Sequence, residues 1–208
     1  MSELKELLIE GLQDLLNAEN QLVAALPKMV TAAHNTRLKQ TFDKHLTQTE
    51  GHVERLKMSL ELLGADEDSK PCKGMKGLIE EGQEVIKEGE EMDELTADLA
   101  LIAAAQKVEH YEISGYGTAR CLAKHLGERK VAKLLSHTLG EEESADFILT
   151  DLSQPLVQQA LSAQIGNGTK TPWGEPGKIE NASPAMGGTQ ARTAAAGGSQ
   201  TTKSGKKA

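Results

Sequence analysis

Carboxylates at positions that should be apolar are the most informative feature of this 208-residue sequence. Glu19 lies four residues after Leu15 and three before Leu22, on one helical stripe. Glu109 and Glu112 are three apart in Gln106-Lys107-Val108-Glu109-His110-Tyr111-Glu112-Ile113, flanking the line through Ile102, Gln106, Ile113 and Tyr116. Glu142 follows Leu139 by three and precedes Leu149 by seven, with Asp146 one turn further on. Helical periodicity turns all of these toward an apolar face. Taken singly, each fits an edge position where the stem is buried and the charged head reaches water. Gathered at one level, ionised carboxylates stay buried only if protons or cations neutralise them. Hard oxygen donors joined by an imidazole suit iron or manganese.

The elements that would carry these residues are helices. Leu8, Leu12, Leu15, Leu22, Leu26 and Met29 form one stripe over residues 3–32, with Pro27 placed to kink or loosen the last turn. Asn35 or Thr36 suits the N-cap of a second helix over 36–63, which Gly64 stops. The segment Ala65 to Gly74 is a loop punctuated by Pro71, and residues 75–88 form a short amphipathic helix broken up by glycines. A third long helix is expected over 91–125, and a fourth over 129–153 with a further turn or two beyond Pro155. Short turns near residues 34 and 127 force two antiparallel hairpins, and the stretch between them is long enough to run the length of a bundle. Two hairpins joined by one long crossover make the all-α, ferritin-like four-helix bundle, here with a short extra helix in the crossover.

That topology sets the register. A turn near residue 127 places Glu112 opposite about residue 142, and Glu109 opposite about 145, beside Asp146. A turn near 34 places Glu19 opposite about residue 49, so that Thr49 to His52 face it. One layer therefore gathers Glu19, Glu109, Glu112 and Glu142 with His52, the preferred residue of the second helix, or Glu50. His52 shares a line with Phe42, His45, Thr49 and Leu56, whereas Glu50 lies nearer the Leu46–Val53 line. His45 and His52 also suit ordinary core or surface positions. Carboxylate sites in such bundles draw on Glu-x-x-His pairs. Here Val53 stands three after Glu50, and Ala145 three after Glu142.

Composition narrows the function classes. Five aromatic residues (Phe42, Tyr111, Tyr116, Phe147 and Trp173) are few for a β-sandwich. Residues 1–166 carry a net charge of −12, which repels nucleic-acid phosphates, and no specific nucleic-acid partner is expected. Residues 167–208 carry +4 among Gly, Ala, Ser and Thr, and are expected to form a disordered basic tail beyond a bundle domain of residues 1–166. No apolar run approaches the roughly 20 residues of a membrane span, and Ser2 to Glu6 lack the apolar stretch of a leader, so a cytoplasmic protein without membrane contact is expected. Cys72 and Cys121 have no zinc-type spacing, and Cys121 has no catalytic partner in view. Phosphate-binding loops and the Gly-x-Ser-x-Gly elbow are missing.

Ala18-Glu19-Asn20-Gln21-Leu22, His45 to Leu56, the run Leu101 to Glu112 and Thr138 to Asp146 resemble the YciE/YciF family of ferritin-like bacterial stress proteins, over about residues 3–155. The Ala104 to Glu112 run, AAQKVEHYE, is its most specific part. The resemblance implies a dinuclear site of two iron (or manganese) ions, a homodimer, and ferroxidase-like oxidation of Fe(II) with dioxygen or peroxide during stress. It carries Glu19, Glu109, Glu112 and Glu142 onto ligand places of the wider superfamily, with His52 and Asp146 completing the set. Glu112 would bridge the metals, with Glu19 or Glu142 sharing that role, and Tyr111 and Tyr116 would be redox partners or outer neighbours. The alternative is a non-enzymatic dimeric stress or assembly protein whose metal site is structural, degenerate or empty.

Overall fold

In a computed structural model, residues 2–68 and 71–166 are described. Five helices follow in order: α1 (Glu3–Ala32), α2 (Thr36–Leu63), α3 (Lys73–Gly89), α4 (Glu94–His125) and α5 (Arg129–Gly166). Strands are absent among the described residues. The helices α1 with α2, and α4 with α5, are the two hairpins; α2 packs on α5 and α1 on α4, while α3 lies against α4 and α1. This is the ferritin-like arrangement that the connection lengths predict. The expected basic tail, 167–208, lies outside the described residues.

Side chains punctuate the helices as the sequence suggests. Asn35 Oδ1 accepts from the backbone N–H groups of Arg37 and Leu38 at 2.9 and 3.1 Å, opening α2. Gly64 ends it in the left-handed conformation, φ 70°, which a glycine adopts without steric penalty. Asp93 caps α4 through Thr96, which starts that helix three residues later than expected. The fourth helix of the bundle differs more. The further turn or two expected beyond Pro155 is continuous with it: α5 runs unbroken from Arg129 through Pro155 to Gly166. Proline removes one N–H from the ladder, but Leu152 and Leu156 on either side are both buried, and their packing holds the helix together across the gap. Pro27 likewise lies inside α1.

The core is layered along the bundle axis. One apolar cluster, including Leu8, Leu12, Leu56, Leu60, Leu135 and Leu139, fills one end. A second, including Leu38, Phe42, Ile102, Leu149 and Leu152, fills the other. A third, with Leu22, Leu26 and Met75, fastens α3 onto α1. Polar side chains occupy the level between the two end clusters.

Asp98, buried in α4, ties the first hairpin to the second. Its two oxygens accept the backbone N–H groups of His34 and Asn35, each at 2.7 Å. Charge-assisted bonds of this kind each contribute about 1.5–3 kcal/mol, and their loss strands two donors. Asp98→Ala is therefore expected to destabilise the fold by about 3 kcal/mol in urea unfolding; a change under about 0.5 kcal/mol, normal for a neutral surface site, would contradict this role.

Candidate metal centre

Six side chains from four helices converge at mid-height: Glu19 of α1, His45 and His52 of α2, Glu109 and Glu112 of α4, and Glu142 of α5. None is more than 5% exposed. The spacing on each helix explains why they meet. Glu109 and Glu112 are separated by one turn, and His45 and His52 by two, so each pair shares a face. They form two ligand-like groups. One joins His45, Glu109, Glu112 and Glu142, the other Glu19, His52 and Glu142, with one donor atom per residue and all donors of a group within 4.8 Å of one another.

Close approaches here are not hydrogen bonds. His52 Nδ1 lies 2.8 Å from Glu142 Oε1 and 3.3 Å from Glu19 Oε1, yet bonds to neither. His45 Nε2 stands 3.4 Å from Glu109 Oε1 and 3.8 Å from Glu142 Oε2. Among the described residues, every buried side-chain nitrogen or oxygen without a hydrogen-bond partner belongs to these six, and both oxygens of Glu112 and of Glu142 are among them. Buried polar atoms are nearly always paired, so unpartnered donors concentrated at one place are compatible with a metal site. Four carboxylates and two imidazoles fit a pair of divalent cations in both charge and donor type.

Neighbouring groups orient the cluster. His52 Nε2 is 3.1 Å from Glu141 Oε2. With a metal bound, a proton held on Nε2 by that carboxylate would leave Nδ1, which faces Glu19 and Glu142, free to ligate, the usual way a carboxylate sets the tautomer of a metal-binding histidine. Glu141 is itself held by Arg55, which also donates to Thr138 Oγ1 at 2.8 Å. From the other side, the fully buried Tyr116 donates its hydroxyl to Glu19.

Electrostatics follow from burial. Glu109 and Glu112 are pushed well above the usual carboxylate range, first by desolvation and then by the carboxylates of Glu19 and Glu142, with Glu109 adding to the push on Glu112. Desolvation takes Glu142 up to about 7 despite the opposing pull of His52. For His52 desolvation works downward, but the facing carboxylates of Glu142 and Glu19 outweigh it and raise the imidazole to about 10. His45 falls to about 4 through desolvation and the nearby His52 cation. Without a cation, the cluster holds itself together with protons.

Glu19, His52, Glu109, Glu112 and Glu142 thus come together. Asp146 does not join either group: it points aside, accepts from Gln106 Nε2 at 3.0 Å, and remains partly exposed. Glu50 is exposed, so on α2 it is His52 that faces the cluster. Sequence reasoning passed over His45, although it shares the buried line of His52. Glu142, not Glu112, is common to both groups. Tyr111 turns away, its hydroxyl donating to Asp14 at 2.8 Å and lying 2.9 Å from Cys72 Sγ. Cys121 is exposed.

A crossover four-helix bundle with carboxylates and imidazoles at its waist defines the ferritin-like class of helical proteins. Within it, the chain belongs to the family described as a domain of unknown function, DUF892, whose pattern matches residues 3–162. It is 46% identical over 157 residues to Protein YciF of Escherichia coli K12, covering 74% of this chain and 92% of that one. The crystal structure of the E. coli stress protein YciF superposes with a TM-score of 0.70 at 45% identity, over 76% of this chain and 99% of that one. A ferritin-like, diiron-carboxylate protein from Bacillus anthracis shares the fold at 18% identity, with a TM-score of 0.58 over 74% of this chain and all of that one. Among the described residues, no helix is long and apolar enough to cross a membrane.

Raised pKa values give a signed pH dependence. Stability from Glu142 is present below its unfolded value and lost as pH rises through about 7; that from His52 is present below 6.5 and lost as pH rises through about 10. His45, lowered, acts only on the acid side, below 6.5. The melting temperature of chelator-treated protein should fall between pH 7 and pH 10, and added divalent metal should abolish the fall. A flat profile without metal would contradict this assignment of protons.

Proposed function

We propose that this chain is a dinuclear carboxylate metal protein that takes up Fe(II), or Mn(II), in the waist of its bundle and oxidises Fe(II) with dioxygen or peroxide. The observation that carries the reading is the set of unpartnered donor atoms on six buried side chains. His45, Glu109 and Glu112 would hold one ion and Glu19 and His52 the other, with Glu142 reaching both. Iron as substrate supplies the electrons: two Fe(II) and one dioxygen, with two protons, give two Fe(III) and one hydrogen peroxide. The protein's own part is to release protons from Glu109, Glu112 and His52 as cations enter, to hold the donors in place, and to keep the site dry between two apolar layers.

Tyr116, hydrogen-bonded to Glu19, is the aromatic group placed to stabilise that carboxylate, a role we assign in place of Tyr111. The family resemblance further supports a homodimer acting in the cytoplasm during stress. Sedimentation of the purified chain as a monomer alone would overturn the dimer.

The test is metal analysis followed by aerobic Fe(II) oxidation read by absorbance. The reading predicts two ions per chain and turnover, both lost in a Glu112→Ala, Glu142→Ala double variant. Binding without turnover would favour a structural metal site; neither binding nor oxidation would sink the proposal. Glu141→Gln, which touches the cluster only through His52, should weaken metal binding by roughly 10–100-fold. Unchanged affinity in that variant would remove Glu141 from the account.

A further inference from the structure

An apolar cavity of about 50 Å³ lies beneath the crossover helix α3, between it and helices α1, α2 and α4. Leu26, Phe42, Ile79, Ile86, Ala105 and Val108 supply much of its wall. Its lining includes both the exposed Lys28 and Gln83 and the buried His45 and Glu109 of the metal centre. Lys28, Gln83 and Ile86 also line a broader cleft of about 760 Å³ between α1, α3 and α4, so the cavity and the cleft share part of their walls. The crossover is thus more than a connection, because its residues Ile79, Gly82 and Ile86 wall a cavity that two candidate ligands also line.

Resting on the metal reading above, we propose that this cavity is the entry path for dioxygen and makes dioxygen, rather than peroxide, the oxidant that reaches the centre. The argument is size and polarity. A space this small suits a diatomic gas, whereas an apolar cavity that takes up benzene measures roughly 150 Å³. Apolar walls accept a gas with no hydrogen bonds to lose, but strip peroxide of the water bonds that its hydroxyls require. Gly82, buried on α3, borders this space: a Cβ added there would meet nothing within 4 Å, so there is room for a larger side chain to fill it.

Xenon, an apolar monatomic probe, tests the path on metal-free protein. Under xenon pressure, the methyl resonances of Leu26, Ile79, Ile86 and Val108 should shift, and Gly82→Leu should abolish the shifts while leaving helicity intact. If that variant does not fold, Ala104→Leu fills the cavity from the α4 side. In iron-loaded protein the filled variant should raise the dioxygen concentration for half-maximal oxidation several-fold, with peroxide-driven oxidation unchanged. Unshifted methyls, or equal slowing with both oxidants, would overturn the path. If iron does not bind at all, the destination fails with the metal reading, and the xenon shifts separate that failure from failure of the cavity.

Discussion

Four carboxyl groups and two imidazoles share one dry level of this bundle, and their mutual neutralisation is the constraint on which the rest of the structure depends. Desolvating a charge is far more costly than desolvating a methyl group, and like charges crowded together add to it. The cluster meets this with protons. Burial pushes Glu109 and Glu112 well above the usual carboxylate range, toward their neutral forms, while the facing carboxylates of Glu142 and Glu19 raise His52 to about 10. Divalent cations can take over the role of those protons. The same constraint explains the apolar plugs at either end of the bundle, which keep water from relaxing the site.

The scaffold supplies precision where the cluster needs it. All six side chains stand on long helices, none on a loop, and each helix is fixed by packing on two neighbours. The capped turns set the vertical register of each hairpin, and Asp98 links the first turn to α4. Around the cluster, Arg55 and Glu141 on one side and Tyr116 on the other fix individual donor atoms. Gly115 lets α1 approach α4 closely, since a Cβ there would come within 2.8 Å of Leu15. The short crossover helix, α3, contributes Ile79, Gly82 and Ile86 to the apolar cavity that His45 and Glu109 also line.

Much of this was legible in the sequence because it rests on periodicity and turn spacing. Glu112 opposite Glu142, and Glu19 opposite the Thr49–His52 window, follow from hairpin arithmetic once the turns are located. What stayed hidden depends on angles finer than a turn. Asp146 and Glu142 are one turn apart on α5, yet the small extra rotation between them sends Asp146 toward Gln106 and partial exposure. His45 looked like an ordinary core histidine because nothing in a linear pattern tells whether a carboxylate from another helix meets it. Pro155 signals a helix stop in isolation, and tertiary packing of Leu152 and Leu156 overrides it. Tyr111 and Tyr116 both lie within about a turn of Glu112 in sequence, but different faces of α4 give them different partners.

Anomalous diffraction from crystals equilibrated with Mn(II) or, without oxygen, Fe(II) tests the central claim most directly. The account predicts two peaks between Glu19, His45, His52, Glu109, Glu112 and Glu142, with carboxylate oxygens of Glu142 near both. Crystals that show no peak in the waist at saturating metal, or whose metal lies only on surface carboxylates, would contradict it.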